Sequence, residues 1–514
     1  MTNPLYDTLL GHHTNSDAPL LHLPDGQTTT YPQMVARVAQ ISGMLRAQGL
    51  KKGDRLALQV AKSPEALAIY LACLHSGIIF LPLNTAYTPD EISYFVGDAT
   101  PRIVVTDPKA EATLRPMVED AGAALFTLDA QGGGSFAEAV ARATPDSTPV
   151  ECSTDDLACF LYTSGTTGRS KGAMLTQGNL LSNALTLTRT WRFDDRDVLL
   201  HALPIFHAHG LFVACNVVMS AGSAMIWLPG FDVDAVLKAL PRATTMMGVP
   251  TFYTRLLDAP GFTREITEHM RLFTSGSAPL LAETHNRFRN RTGLAILERY
   301  GMTETGMNTS NPYDGERRAG TVGFPLEGVE LVIRDPETGA TADRGKTGMI
   351  EVRGPNVFKG YWQMPEKTAT ELREDGFFVT GDLGQRDADG YVTIVGREKD
   401  LIISGGYNVY PKEVEQLLDD QPGVRETAVI GVPHRDFGEA VVAVLVPETG
   451  ATPEIPAIEA EVTRRLANYK RPKRMIVLEA LPRNTMGKVQ KNILREAYAD
   501  IFAAGAAPLP KAGE

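Results

Sequence analysis

Tyr162-Thr163-Ser164-Gly165-Thr166-Thr167-Gly168-Arg169-Ser170-Lys171-Gly172 stands at the end of an apolar run, 157–162, that reads as a buried strand. Its three glycines let the backbone turn sharply and approach an anion closely, while the hydroxyls and Lys171 supply donors for phosphate oxygens. A plain surface loop is the commonest fate of such composition. The strand before it and the lysine that closes it favour a phosphate-holding loop instead. The loop is not a Walker-type P-loop, because Gly165 and Gly168 lie too close together and no Gly-Lys-Ser/Thr triplet follows.

Outward from this loop, the first third of the chain alternates helix and strand. Helical spacing runs over 31–48, with Pro32 in the first turn, where proline is tolerated. A strand is expected over 55–60, then a helix over 64–76 capped by Ser63, then short strands at 103–106 and 124–128. Such alternation argues for a mainly parallel sheet covered by helices. The uncharged stretch 210–231 is read as a buried helix ending near Gly222 and a strand over 224–228, in preference to a membrane span. Beyond a Gly/Asp-rich region at 381–400 lies an α+β block, with helices at 411–418 and 456–466 and strands near 401 and at 426–432, 440–447 and 474–478. The last residues are small and Pro-rich and are expected to fray.

The bulk numbers set outer limits. A chain of 514 residues is too long for one hydrophobic core. A formal net charge of −11 without a long basic run argues against nucleic-acid binding, which needs a cationic face. Cys73, Cys152, Cys159 and Cys215 are scattered without metal or disulfide spacing, which fits a reducing cytoplasm. No secretory leader is read in the first residues.

Residues 162–172 resemble the signature loop of the adenylate-forming superfamily, which includes acyl-CoA synthetases, luciferases and peptide-synthetase adenylation domains. Further motifs of that superfamily recur in order along nearly the whole chain. The resemblance implies an α/β protein: a large N-terminal domain of packed mixed and parallel sheets and helices, joined to a small mobile α+β C-terminal domain. The expected division is 1–396, a hinge at 397–402, 403–503, and a frayed tail at 504–514. It also implies ATP and Mg²⁺ as cofactors and coenzyme A as cosubstrate.

Residue roles follow from the same resemblance. Thr163, Ser164, Gly165, Thr166, Thr167 and Lys171 would hold the ATP phosphates. In Arg299-Tyr300-Gly301-Met302-Thr303-Glu304, Glu304 would bind Mg²⁺, Thr303 would contact the α-phosphate and Tyr300 would stack on adenine, with Glu298, Gly301 and Met302 beside them. Taken alone, Thr-Glu would read as a helix cap. Ser275, Gly276, Ser277 and Ala278 would border the adenine and acyl pockets. Asp382 in Thr-Gly-Asp suits two ribose hydroxyls, and Arg397 would approach ribose and phosphates. Lys399 would be the hinge pivot, and Gly405, Gly406 and Tyr407 would line the pantetheine tunnel. Lys488, with Thr303 and Glu304, would be catalytic, stabilising charge spread between carboxylate and α-phosphate. Acylation of Lys488 by a modifying enzyme would remove that charge.

A second carboxylate on the substrate would need a buried counter-charge, because an unpaired one is costly. Arg299 can grip a carboxylate bidentately, or it can form a structural ion pair with Glu298 or another acid. The segments 201–210, 248–253 and 298–307 together resemble malonyl-CoA synthetases, some of which accept methylmalonate. In that frame Arg299, His207, Ser277 and Met307 would line the acyl pocket. His207 and His209 alternate on a strand-like segment, but no third ligand stands nearby and no metal pair is assigned. Gly306 is expected to leave the wall beside Met307 roomier or more flexible. The alternatives are another short- or medium-chain acyl- or aryl-CoA ligase, or loading of an acyl group onto a carrier protein. The expected partners are a small-molecule carboxylate and CoA, with no nucleic acid and no membrane span.

Overall fold

The strand Leu157–Thr163 pairs antiparallel with Lys171–Thr176, setting Tyr162 opposite Gly172 and Thr163 opposite Lys171. These two strands are one edge of a six-stranded sheet in which the other neighbours, Ile79–Pro82, Arg55–Gln59, Ile103–Thr106 and Ala124–Thr127, run parallel. The computed structural model describes residues 2–13, 17–163, 170–336, 338–405, 407–435, 437–484 and 487–502. The expected frayed tail at 504–514 lies outside the described residues.

The local signals that define the helices are present as hydrogen bonds. The Ser63 hydroxyl accepts from the Ala66 amide at 3.2 Å and starts Pro64–Ser76, which Gly77 ends at φ +66°. Tyr31–Ala47 begins with Pro32 inside its first turn. The uncharged stretch is a π-helical segment, His209–Cys215, then the helix Asn216–Ala221, then Gly222 at φ +70° and the strand Ala224–Trp227. Among the described residues no helix is long and apolar enough to cross a membrane.

By packing, the chain divides into two compact units. The first comprises 1–331 and 352–378 and holds the six-stranded sheet and a nine-stranded one. The nine-stranded sheet is parallel through its centre, and its core gathers Met246, Tyr253, Phe262, Phe273 and Phe288. The second unit comprises 332–351 and 379–514. In it Val424–His434, Gly438–Pro447 and Arg474–Val477 form a sheet with Ile402–Ser404 and Tyr407–Val409, and both faces are apolar. Packing thus groups 379–396 with the C-terminal residues.

Asp419, at the end of the helix Pro411–Asp419, gives this second unit a pH dependence. Burial pushes its carboxyl up to about 7, against the pull of Lys412 and of the Thr427 hydroxyl, which donates to it at 2.7 Å. The folded chain therefore keeps a proton that an unfolded Asp, at its ordinary 3.8, has lost. The stability this group contributes is fully present below the unfolded value and is lost as pH rises through the folded one. Asp419→Asn is expected to raise the melting temperature at about pH 8, the gain shrinking as pH falls toward about 4. Thermal unfolding across that range checks it.

Candidate active site

Parallel pairing of Leu272–Ser275 with Leu297–Met302 sets Ser275 beside Glu298 at the carboxyl ends of the central strands, where open α/β sheets place their ligands. Arg299 follows on the same strand and is 4% exposed. Its Nε and Nη2 have no partner among the described residues. Glu298 spends its carboxylate on the backbone amides of Leu280, at 3.3 Å, and Gly320, at 3.2 Å. Among the described residues Arg299 forms no ion pair with Glu298. Burial lowers the Arg299 guanidinium to about 10, which still leaves it a cation at neutral pH.

The guanidinium lies on Gly276, where a Cβ would come within 2.2 Å of Nη1. Ser277 next to it is held at φ +70°, a conformation that costs a non-glycine residue and persists only where its surroundings enforce it. The Ser277 hydroxyl lies 3.2 Å from Nδ1 of His209, whose Nε2 is buried without a partner among the described residues. Burial, and then Arg299, hold His209 well below the usual imidazole range, so it is neutral. His207 packs on Phe206, with ring centroids 4.7 Å apart. His207 and His209 do not alternate on a strand: His207 lies in a turn and His209 opens the π-helical segment. Met307 is buried. Gly306 gives no extra room there. It sits at φ +57°, and a Cβ would meet Asn183 Oδ1 at 2.8 Å. Asn183 itself bonds both the amide and the carbonyl of Met307.

Thr303 and Glu304 lie in the turn between Leu297–Met302 and Gly306–Ser310, not at a helix start. Glu304 is buried, and burial pushes its carboxyl up. Its Oε1 accepts from the Tyr361 hydroxyl at 3.1 Å, and that hydroxyl is also 2.6 Å from Glu371 Oε2. Lys171 Nζ lies 3.6 Å from Glu371 Oε1. Of these groups the Glu304 carboxylate, which is not paired with a lysine, is the one that suits a hard divalent cation such as Mg²⁺. Among the described residues no group of three or more His, Cys, Asp or Glu could hold a metal by itself, so an ion at Glu304 would take the rest of its shell from water and phosphate oxygens. Ser164, Gly165, Thr166 and Thr167 lie outside the described residues.

The second unit carries the remaining candidates. Asp382 and Arg397 face each other across an antiparallel pair and form an ion pair at 2.9 Å, while the Asp382 amide donates to Thr380 Oγ1. Lys399 lies in a short 3₁₀ turn, Glu398–Asp400. Gly405 adopts φ +60°, and Tyr407, 60% exposed, stacks on Tyr469. Gly406 lies outside the described residues. Lys488 is exposed in a turn where its amide donates to Asn484 Oδ1 at 3.0 Å.

With the phosphate strand, the acidic turn and the buried arginine in one unit, comparison with known proteins is decisive. Residues 12–362 match the AMP-binding enzyme family. This chain belongs to that family. Residues 413–488 match the family's C-terminal domain. A malonate–CoA ligase of Arabidopsis thaliana is 34% identical over 92% of this chain and 85% of that protein. A feruloyl-CoA synthase of Amycolatopsis is 36% identical over 92% and 94%. Among solved structures, ATP-bound MatB from Rhodopseudomonas palustris is 55% identical, with a TM-score of 0.96 over 98% of this chain and all of that one. The mixed α/β fold with its C-terminal domain is that of an AMP-forming acyl-CoA ligase.

Sequence reading missed Tyr361 and Glu371, which meet their site partners only through tertiary structure, and it took His209 for one of an alternating pair without its contact to Ser277.

Proposed function

We propose that this enzyme joins malonate to coenzyme A, with ATP cleaved to AMP and pyrophosphate and methylmalonate as an allowed variant. The observation that carries the reading is Arg299: a guanidinium buried on Gly276, charged at neutral pH, with two donors left over and Ser277 and His209 beside it. Such a cation is costly to bury unless a ligand completes it, and a planar carboxylate fits its fork. The name of the Arabidopsis relative supports the same acid.

In the first half-reaction one substrate carboxylate attacks the α-phosphate, giving acyl-AMP and pyrophosphate. Lys171 and the loop residues Thr163, Ser164, Gly165, Thr166 and Thr167 hold the phosphates. Thr303 contacts the α-phosphate, Tyr300 and residues 275–278 frame adenine, and Asp382 with Arg397 takes the ribose. Glu304 would hold Mg²⁺, which when bound would neutralise triphosphate charge. Lys488 stabilises the charge that spreads in the transition state. Arg299 meanwhile anchors the other carboxylate, with Met307 and His207 closing the pocket. In the second half-reaction the 403–503 domain turns on Lys399 within the 397–402 hinge and withdraws Lys488. Gly405, Gly406 and Tyr407 then line the path by which the CoA thiol reaches the acyl carbon and expels AMP. The reaction is assigned to the cytoplasm, and acylation of Lys488 would switch off the first step.

The test supplies malonate, methylmalonate, succinate, acetate, butyrate and benzoate separately with ATP, Mg²⁺ and CoA, and measures AMP and acyl-CoA. Malonate is expected to lead. A leading monocarboxylate would remove the substrate assignment and leave the family intact.

A further inference from the structure

The residues 358–362 are tied at both ends to the phosphate and metal side of the site. At one end the Phe358 amide donates to the Glu304 carbonyl at 2.8 Å. At the other, Tyr361 bridges antiparallel to Ala173, Met174 donates to the Gly360 carbonyl at 3.0 Å, and Trp362 donates to the Gly172 carbonyl at 2.8 Å. This pairing places the Tyr361 ring against Lys171, whose Nζ is 4.3 Å from the ring centroid. The same residue's hydroxyl stands between Glu304, at 3.1 Å, and Glu371, at 2.6 Å.

Glu371 closes the arrangement. Its Oε1 lies 3.6 Å from Lys171 Nζ and 2.7 Å from Lys367 Nζ, one turn earlier on the helix Pro365–Glu371. Burial works against its ionisation, but the hydrogen bonds from Lys367 and Tyr361 hold it below the usual carboxylate range. The helix is pinned to the platform by the Tyr361 amide, which donates to Thr368 Oγ1 at 2.9 Å. Gly360, at φ +122°, allows the close approach, since a Cβ there would meet Thr368 Cγ2 at 2.6 Å.

Lys171 is buried, and a buried ammonium needs a counter-charge before any nucleotide arrives. Glu371 provides one, and Lys367 can neutralise Glu371 once Lys171 is taken by phosphate. The Tyr361 hydroxyl has one hydrogen for two carboxylates, so it fixes the direction of the Glu304 side chain without filling that carboxylate's capacity to accept.

We propose that Tyr361 and Glu371 are positioning residues of the nucleotide site, Glu371 a built-in counter-ion that the triphosphate displaces from Lys171, and Tyr361 the group that aims Glu304. This rests on the reading of Lys171 and Glu304 as the phosphate and Mg²⁺ ligands. The two residues therefore act with opposite sign. Glu371 competes with the nucleotide, whereas Tyr361 assists only the metal-dependent part of binding.

The test is calorimetric titration of the full-length enzyme with ATP, in EDTA and in Mg²⁺, without carboxylate or CoA so that no turnover occurs. Glu371→Gln keeps the shape and removes the charge. It is expected to bind metal-free ATP about three- to tenfold more tightly than wild type. Tyr361→Phe keeps the ring against Lys171. It is expected to leave metal-free binding unchanged and to lose about tenfold of the affinity gained with Mg²⁺. Weaker metal-free binding by Glu371→Gln, or an equal loss in both arms for Tyr361→Phe, would mark a structural role and overturn the proposal alone. A wild-type enzyme that gains nothing from Mg²⁺, or a Lys171→Ala variant that binds ATP normally, would overturn the underlying reading together with it.

Discussion

Arg299→Met is expected to cut kcat/KM for malonate by about a hundred- to a thousandfold while leaving a monocarboxylate such as butyrate nearly unaffected, because truncating one partner of a desolvated charge pair costs about 3–5 kcal/mol. The same substitution is expected to raise the melting temperature. The protein holds this guanidinium in a buried place with Nε and Nη2 unpartnered among the described residues, and replacing such a group by an apolar side chain of similar volume removes a desolvation cost. A structural ion pair predicts the reverse, a lower melting temperature and an equal loss for all acids. Gly276→Ala tests the geometry without touching the charge: the new methyl would meet the guanidinium at 2.2 Å. It should reproduce the selective loss of malonate. Kinetics on the acid panel, with thermal unfolding of each variant, checks all three expectations.

The parts of this fold legible in the sequence are those with local causes. Ser63 before Pro64, Pro32 in a first turn and Gly222 after an apolar helix each act on their own neighbours, and the elements begin and end where these residues place them. The phosphate strand was legible for the same reason, since an apolar run and a Gly/Ser/Thr stretch adjoin directly. The histidines misled because alternation implies a strand only if nothing else constrains the backbone. Here Gly210 packs so tightly that a Cβ would lie 1.9 Å from the Pro204 carbonyl oxygen, and the chain coils into a π-helical turn. Gly306 looked like added space, but its positive φ and the approach of Asn183 explain it. Tyr361 and Glu371 had no signal at all, because their neighbours Lys171 and Glu304 are distant in sequence and meet them only through strand pairing and a tertiary hydrogen bond. The fate of Arg299 could not be read from spacing either. It required knowing that Glu298 is already committed to two backbone amides.

Lys488→Gln is expected to slow the first half-reaction by about a hundred- to a thousandfold, the loss seen when a preorganised donor to a developing charge is removed. Pyrophosphate release from ATP and malonate reports this step. Thioester formation from synthetic malonyl-AMP and CoA should stay near the wild-type rate, because the proposed domain alternation withdraws the lysine from the reacting atoms before this step. The fold should not change. Lys488 is exposed, and these bonds of the turn that presents it do not use the lysine side chain: the Asn484 amide donates to the Lys488 carbonyl at 3.0 Å, the Lys488 amide donates to Asn484 Oδ1, and Gly487 takes φ +73°. Glutamine keeps all of these bonds and removes the charge, as an acylated lysine would. An equal loss in both half-reactions would place Lys488 in general substrate binding, and normal pyrophosphate release would remove it from the chemistry. With only the first step slowed, a modifying enzyme that acylates this one exposed side chain could silence the ligase without unfolding it.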